Sequence, residues 1–78
     1  MNAAFNVWKP ITPSNTLDLD ALTDSLWVGG GGDVAAVQQN NVVQVFPAVP
    51  AGSWLPLKAR RINATGTTAT GLVALYEV

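Results

Sequence analysis

The sequence predicts an all-β protein, a small β-sandwich or barrel of about five to six antiparallel strands with an extended N-terminal arm. Short apolar runs recur along the chain between turns rich in glycine, proline and asparagine. No segment has the period of an amphipathic helix of ordinary length. Because 78 residues suit one domain, we divide the chain into residues 1–24, the arm and a short strand, and residues 25–78, the β domain.

The composition predicts a protein that is stabilised by self-association. Hydrophobic residues make up 49% of the chain and charged residues only 12%, whereas soluble domains average about 25% charged. The chain has no cysteine and no histidine, so it lacks disulfides and the main ligands of zinc and haem. Because so small a core supplies only about 3–5 kcal/mol, we predict a homo-oligomer without cofactor or metal.

Residues 1–13 carry large apolar side chains at Phe5, Trp8 and Ile11 together with two prolines. Proline favours an extended conformation in the residue before it, so this segment is predicted to be an extended arm. Its apolar side chains need cover from the protein's own core or from a neighbouring molecule.

Residues 14–24 allow two interpretations. Between Leu17 and Ala21, apolar residues alternate with Asp18 and Asp20, which favours a short strand, although Asp18 could instead cap one helical turn. The paired aspartates lack the spaced oxygen ligands of an EF-hand. We therefore interpret them as a solvated acidic face rather than a calcium site.

The run that contains Trp27 ends in four glycines, residues 29–32, followed by Asp33. A phosphate-binding loop needs a lysine after its glycines. Since an aspartate follows here, we predict instead a turn with positive φ angles, or a close approach of neighbouring chains.

The clearest predicted hairpin joins residues 33–38 to residues 42–46. The connecting residues 39–41 include two asparagines, which tolerate the left-handed conformation of tight turns. Residues 47–52 then interrupt the sheet pattern, and residues 54–64 resume an extended run.

Two further features concern the second half of the chain. Pro56 places the start of its strand at a sheet edge or a bulge. Residues 72–76 are almost continuously apolar, which predicts a strand covered on both faces, within a sandwich core or under a neighbouring subunit.

Composition argues against several classes of function. Without histidine or cysteine the commonest general base and thiol nucleophile are missing, and so short a chain leaves little material for a catalytic cleft. We therefore predict no enzymatic activity. A net charge of −1 disfavours nucleic acid and anionic membranes, and we expect Lys58, Arg60 and Arg61 to be solvated or ion-paired. No apolar run approaches the roughly 20 residues of a membrane span.

Residues 25–76 resemble small structural proteins of tailed bacteriophages, most closely the head-spike base and capsid decoration proteins of gene transfer agents and related phages. The resemblance lies in WVGGGGDV at 27–34, VF at 45–46, VPAG at 49–52, LPL at 55–57, RRI at 60–62 and ATGTTATGLVALY at 64–76. It implies a virion protein on the capsid exterior, made in the bacterial host cytoplasm. Such a protein decorates or cements the shell, or carries a fibre, by oligomerising and docking on the major capsid protein.

The candidate interface consists of large apolar residues, since tryptophan is enriched at binding hot spots: Phe5, Trp8, Ile11, Trp27 and Trp54. An alternative function is a carbohydrate- or receptor-binding module of a phage fibre, because tryptophan rings also stack on sugars. A pentamer would suit a five-fold capsid vertex and a trimer a local three-fold position.

Overall fold

The computed structural model describes residues 5–77 and confirms the all-β class. These residues form seven strands, one or two more than predicted, and they contain no helix. The strands are β1 Val7–Pro10, β2 Ser25–Gly30, β3 Gly32–Val37, β4 Val43–Val49, β5 Ser53–Leu55, β6 Arg61–Ile62 and β7 Thr70–Tyr76.

The strands form a sandwich of two antiparallel sheets. One sheet has four strands in the order β1-β7-β2-β5, and the other has three in the order β4-β3-β6. Side chains that alternate inward along the strands form one hydrophobic core. Its members from the strands include Leu26, Val28, Val34, Ala36, Ile62, Leu72 and Ala74.

The glycine run carries the chain from one sheet to the other. Gly29 and Gly30 end β2, and Gly32 begins β3 after a single intervening residue. A Cβ atom on Gly32, whose φ is 154°, would lie 2.7 Å from the backbone nitrogen of Ala69. The predicted positive φ occurs at Gly32, and the close approach that the structure shows at this run is between residues of one chain.

The predicted hairpin is confirmed. β3 and β4 pair antiparallel, with Val37 opposite Val43. Asn41 adopts a left-handed φ of 70°, and its N–H donates to the carbonyl of Gln38 at 3.0 Å. Asparagine is suited to this position because its short polar side chain tolerates the left-handed region.

The predicted interruption at residues 47–52 begins later than expected. β4 continues through Pro47 to Val49, and its pairing with β3 shifts register near Ala48, which has a φ of 54°. The backbone of Phe46 faces β3, so the missing N–H of Pro47 falls on the open side of the strand. A bulge therefore accommodates the proline without ending the strand.

Residues 54–64 do not form one continuous strand as predicted. The chain leaves the four-stranded sheet after β5, crosses through residues 56–60, and joins the three-stranded sheet as β6. The edge position indicated by Pro56 is confirmed, because β5 is an outer strand.

The short strand predicted within residues 14–24 is absent, and the N-terminal strand is β1, which pairs with β7 of the same chain. Residues 11–24 instead run along the sandwich and bond to both sheets. Their backbone N–H groups donate to carbonyls of the domain, for example Ser14 to Ile62 at 2.9 Å and Asp24 to Leu75 at 3.0 Å. The acidic side chains of this segment form ion pairs rather than a strand face.

Candidate interaction surface

Three tryptophans that are far apart in sequence lie on one face of the four-stranded sheet. Trp8 is opposite Leu75, and Trp27 is opposite both Val73 and Trp54. Directly opposed residues of antiparallel strands project to the same side. We call this surface the tryptophan face and define it as Trp8, Trp27, Trp54, Val73 and Leu75.

The tryptophan face is exposed and apolar. Trp8 is 68% exposed, Trp54 49% and Trp27 41%. The face contains a shallow depression, and the four residues that line it are all apolar: Trp8, Trp27, Val73 and Leu75. Apolar patches of this kind are typical of the surfaces through which proteins bind partners or ligands.

Phe5 extends the tryptophan face. Its ring meets that of Trp54 edge-on, with centroids 6.3 Å apart and planes at 60°, an arrangement that aromatic pairs prefer. The indole Nε1 of Trp8 donates to the carbonyl oxygen of Phe5 at 2.6 Å. Because the indole N–H of Trp8 is hydrogen-bonded within the chain, the exposed part of its side chain is mainly apolar.

Ile11 differs from the other candidate residues because it lies in the hydrophobic core and not on the surface. Its backbone N–H donates to the carbonyl of Leu72 at 2.9 Å. Ile11 therefore anchors the N-terminal segment to β7 instead of presenting an apolar group to a partner.

Val73 and Leu75 are members of the face that the sequence analysis did not single out. On β7 the residues at 72, 74 and 76 are buried, whereas Val73 and Leu75 are only half-buried. This alternation of buried and half-buried residues cannot be seen in the sequence, because residues 72–76 are almost all apolar. Its outer members are the part of β7 that another molecule would have to cover.

All four lysines and arginines of the chain are paired with aspartates. Asp18 binds both Arg60, at 2.6 Å, and Arg61, at 2.8 Å. Lys58 binds Asp24 at 2.7 Å, and Lys9 binds Asp20. The ion pairing predicted for the basic cluster is confirmed, and these partners compete with any phosphate for the same cations.

The pKa values of the aspartates reflect these contacts. Hydrogen bonding to Arg60 is the main cause that lowers the pKa of Asp18, and Arg61 adds to the effect. The pKa of Asp20 is lowered by its bond to Lys9. That of Asp24 is lowered by Lys58 and by the backbone N–H of Glu77. All three carboxylates are thus held in the ionised form at neutral pH.

The acidic residues do not converge on one site. Among residues 5–77 there is no group of three carboxylate, histidine or cysteine side chains placed to hold a metal ion. Asp18 and Asp20, which we considered for calcium, belong to separate ion pairs. The same part of the chain contains no helix that could cross a lipid bilayer.

Comparison with known proteins identifies a relative among solved structures. No model of a known protein family matches the chain, and no curated protein matches it. A chain of the solved structure described as "Capsid of native GTA particle computed with C5 symmetry", where GTA stands for gene transfer agent, superposes on this one with a TM-score of 0.85. The two are 33% identical, over 92% of this chain and 83% of that chain. A likeness of this extent goes beyond a shared fold.

Proposed function

Because the chain belongs to the same family as this chain of a gene transfer agent capsid, we propose that it is a structural protein of a phage-like capsid particle. In this proposal the protein lies on the capsid exterior, where it is a decoration or cement protein or the base of a head spike. It acts there by assembling with copies of itself and docking on the major capsid protein. It catalyses no reaction in this role.

The tryptophan face is the observation that carries the proposal. A buried tryptophan covers about 200 Å², so the combined exposure of Trp8, Trp27 and Trp54 leaves about 300 Å² for a partner. At about 25 cal/mol per Å², covering this area contributes roughly 8 kcal/mol. Association itself costs about 4–15 kcal/mol. One copy would therefore bind weakly, and several linked copies would bind firmly.

Symmetric assembly would supply those linked copies. The related capsid was computed with C5 symmetry, so five copies around a vertex are one arrangement that the proposal includes. Three copies at a local three-fold position are the other. In either ring each chain would present the same face to the shell, and a fibre could attach on the side that points away.

Binding to capsids that lack this protein tests the docking role. We expect Trp8→Ser and Trp54→Ser to weaken co-sedimentation with such capsids at least 10-fold, the size of loss that an interface hot spot produces. Leu17→Ser is the matched control, because Leu17 is a large exposed apolar residue outside the tryptophan face. Equal binding by all three variants and the unmodified protein would contradict docking through this face.

A carbohydrate- or receptor-binding role on a fibre is the second candidate, since three exposed indole rings on one face offer stacking area for sugars. Sugar sites also need polar groups that bind the hydroxyls, and the depression in this face is lined by apolar residues. A glycan array distinguishes the candidates. Sugar binding that Trp8→Ser abolishes would favour this role, and an array without hits would remove it.

A further inference from the structure

β4 forms an edge of the three-stranded sheet, and the hydrogen bonds of β3 show which side of β4 is open. The carbonyls of Ala35 and Val37 accept N–H groups from Asn63 and Arg60, on the β6 side of β3. The residues that alternate with these on β3, Val34 and Ala36, must therefore direct their backbone groups toward β4. They lie opposite its residues 44 and 46.

The intervening residues of β4 direct their backbone groups away from the sheet. The N–H and C=O of Val43 and Val45 point outward, and no strand within residues 5–77 pairs with this side. The carbonyl of Val45 accepts only a bond from the side-chain Nε2 of its neighbour Gln44, at 3.0 Å. The two valine side chains are 44% and 40% exposed.

This edge lacks the charges with which monomeric proteins protect exposed strands. Residues 34–57 contain no lysine, arginine, aspartate or glutamate, and they include all of β4 and β5. Pro47 removes the next outward N–H, and the bulge beside it interrupts the regular strand, so the open ladder is limited to Val43 and Val45. The edge is thus short, neutral and flanked by exposed valines.

We propose that β4 pairs through this edge with a second copy of the chain. The inference rests on the homo-oligomer of the proposed function and names the contact that forms it. A second copy suits the edge because two uncharged strands meet without repulsion and their valines pack across the pairing. The tryptophan face lies on the other sheet, so pairing through β4 leaves Trp8 and Trp27 free for docking.

Two arrangements satisfy this pairing. In a two-fold dimer, β4 meets β4 antiparallel about Gln44, and Val43 of one copy exchanges both backbone hydrogen bonds with Val45 of the other. In a closed ring, β4 meets a different edge strand of the next copy. β5 is such an edge, and it belongs to the same uncharged stretch.

Val45→Pro tests the pairing directly. The substitution removes an outward N–H that makes no bond to β3, and Pro47 shows that this side of the strand tolerates proline. We expect the unmodified protein to have a mass above the 8.2 kDa of one chain in light scattering, and Val45→Pro to raise the dissociation constant at least 10-fold. Val45→Ala is the control, because it keeps the N–H and should weaken assembly less.

Two results would overturn the inference. One is an unmodified protein that stays monomeric at about 100 μM, where a micromolar dissociation constant would give nearly complete assembly. The other is a folded Val45→Pro variant that assembles as the unmodified protein does. If Val45→Pro does not fold by circular dichroism, Val45→Lys replaces it, and undiminished assembly of that variant has the same meaning.

The two proposals fail separately in these measurements. Self-association is measured without capsids, and capsid binding is measured with the tryptophan variants. An oligomer that Val45→Pro disrupts but that does not bind capsids would contradict docking and support the pairing. A dimer mass would support β4 on β4, and a trimer or pentamer mass would support the ring.

Discussion

Replacing Thr23 with valine should destabilise the protein strongly, because this threonine joins the N-terminal segment to the crossing between β5 and β6. Its side chain is fully buried. The hydroxyl donates to the carbonyl of Leu57 and accepts the N–H of Ala59, both at 2.9 Å. Its backbone N–H donates to the carbonyl of Ala59 at 3.1 Å. Valine has nearly the same shape and can replace neither hydroxyl bond.

The expected loss follows from the two groups left without a partner. A buried N–H that loses its acceptor costs about 1–3 kcal/mol, and the lost bond to Leu57 adds about 1 kcal/mol. We therefore expect Thr23→Val to lower the free energy of unfolding by about 2–4 kcal/mol. This is a large share of the roughly 4–12 kcal/mol typical of a 78-residue chain.

Urea unfolding followed by tryptophan fluorescence measures this loss, with all samples at one protein concentration because self-association adds to apparent stability. Thr23→Ser is the control, since it keeps both hydroxyl bonds and loses one methyl group, at a cost of about 1 kcal/mol. The reasoning is refuted if Thr23→Val is within about 0.5 kcal/mol of the unmodified protein, a difference typical of surface substitutions, or is more stable than Thr23→Ser.

Two further predictions concern the glycine run and the ion pairs. Gly32→Ala should lower the melting temperature more than Gly52→Ala, because a Cβ on Gly32 would lie 2.7 Å from the nitrogen of Ala69, whereas the nearest atom at Gly52 is 4.0 Å away. Equal melting temperatures would contradict this. Asp18→Asn should lower the urea midpoint at pH 7 but not at pH 2. The lowered pKa of Asp18 beside Arg60 stabilises the fold above about pH 4, and this contribution is lost as the carboxylate is protonated. A difference that persists at pH 2 would argue against the ion pair as its cause.

The parts of the fold that could be predicted depend on local chemistry. Asn41 takes a conformation that few residues tolerate, so the β3–β4 hairpin was recognisable from the sequence. The position of β1 was not, because nothing within residues 7–10 indicates that they pair with β7. The crossing at residues 56–60 was missed for the same reason, since the choice of sheet depends on distant partners.

In the candidate surface, too, residue type could be predicted from the sequence, whereas position in the fold could not. Trp8, Trp27 and Trp54 were selected by residue type alone, and the register between strands places them on one face. Ile11 has similar chemistry and lies in the core, because a segment without strand periodicity does not reveal which side chains turn inward. The exposure of Val73 required knowing that β7 has an inner and an outer face.

The position of β7 between β1 and β2 has a consequence for synthesis of the chain. β1 and β2 have no common partner until β7 is made, some 60 residues after β1 ends. At about 5–20 residues per second, that interval is about 3–12 s. During it β1, which carries Trp8, has no partner strand, and β2, which carries Trp27, can pair only with β5. Chaperones and neighbouring nascent chains can therefore reach these strands before the four-stranded sheet closes.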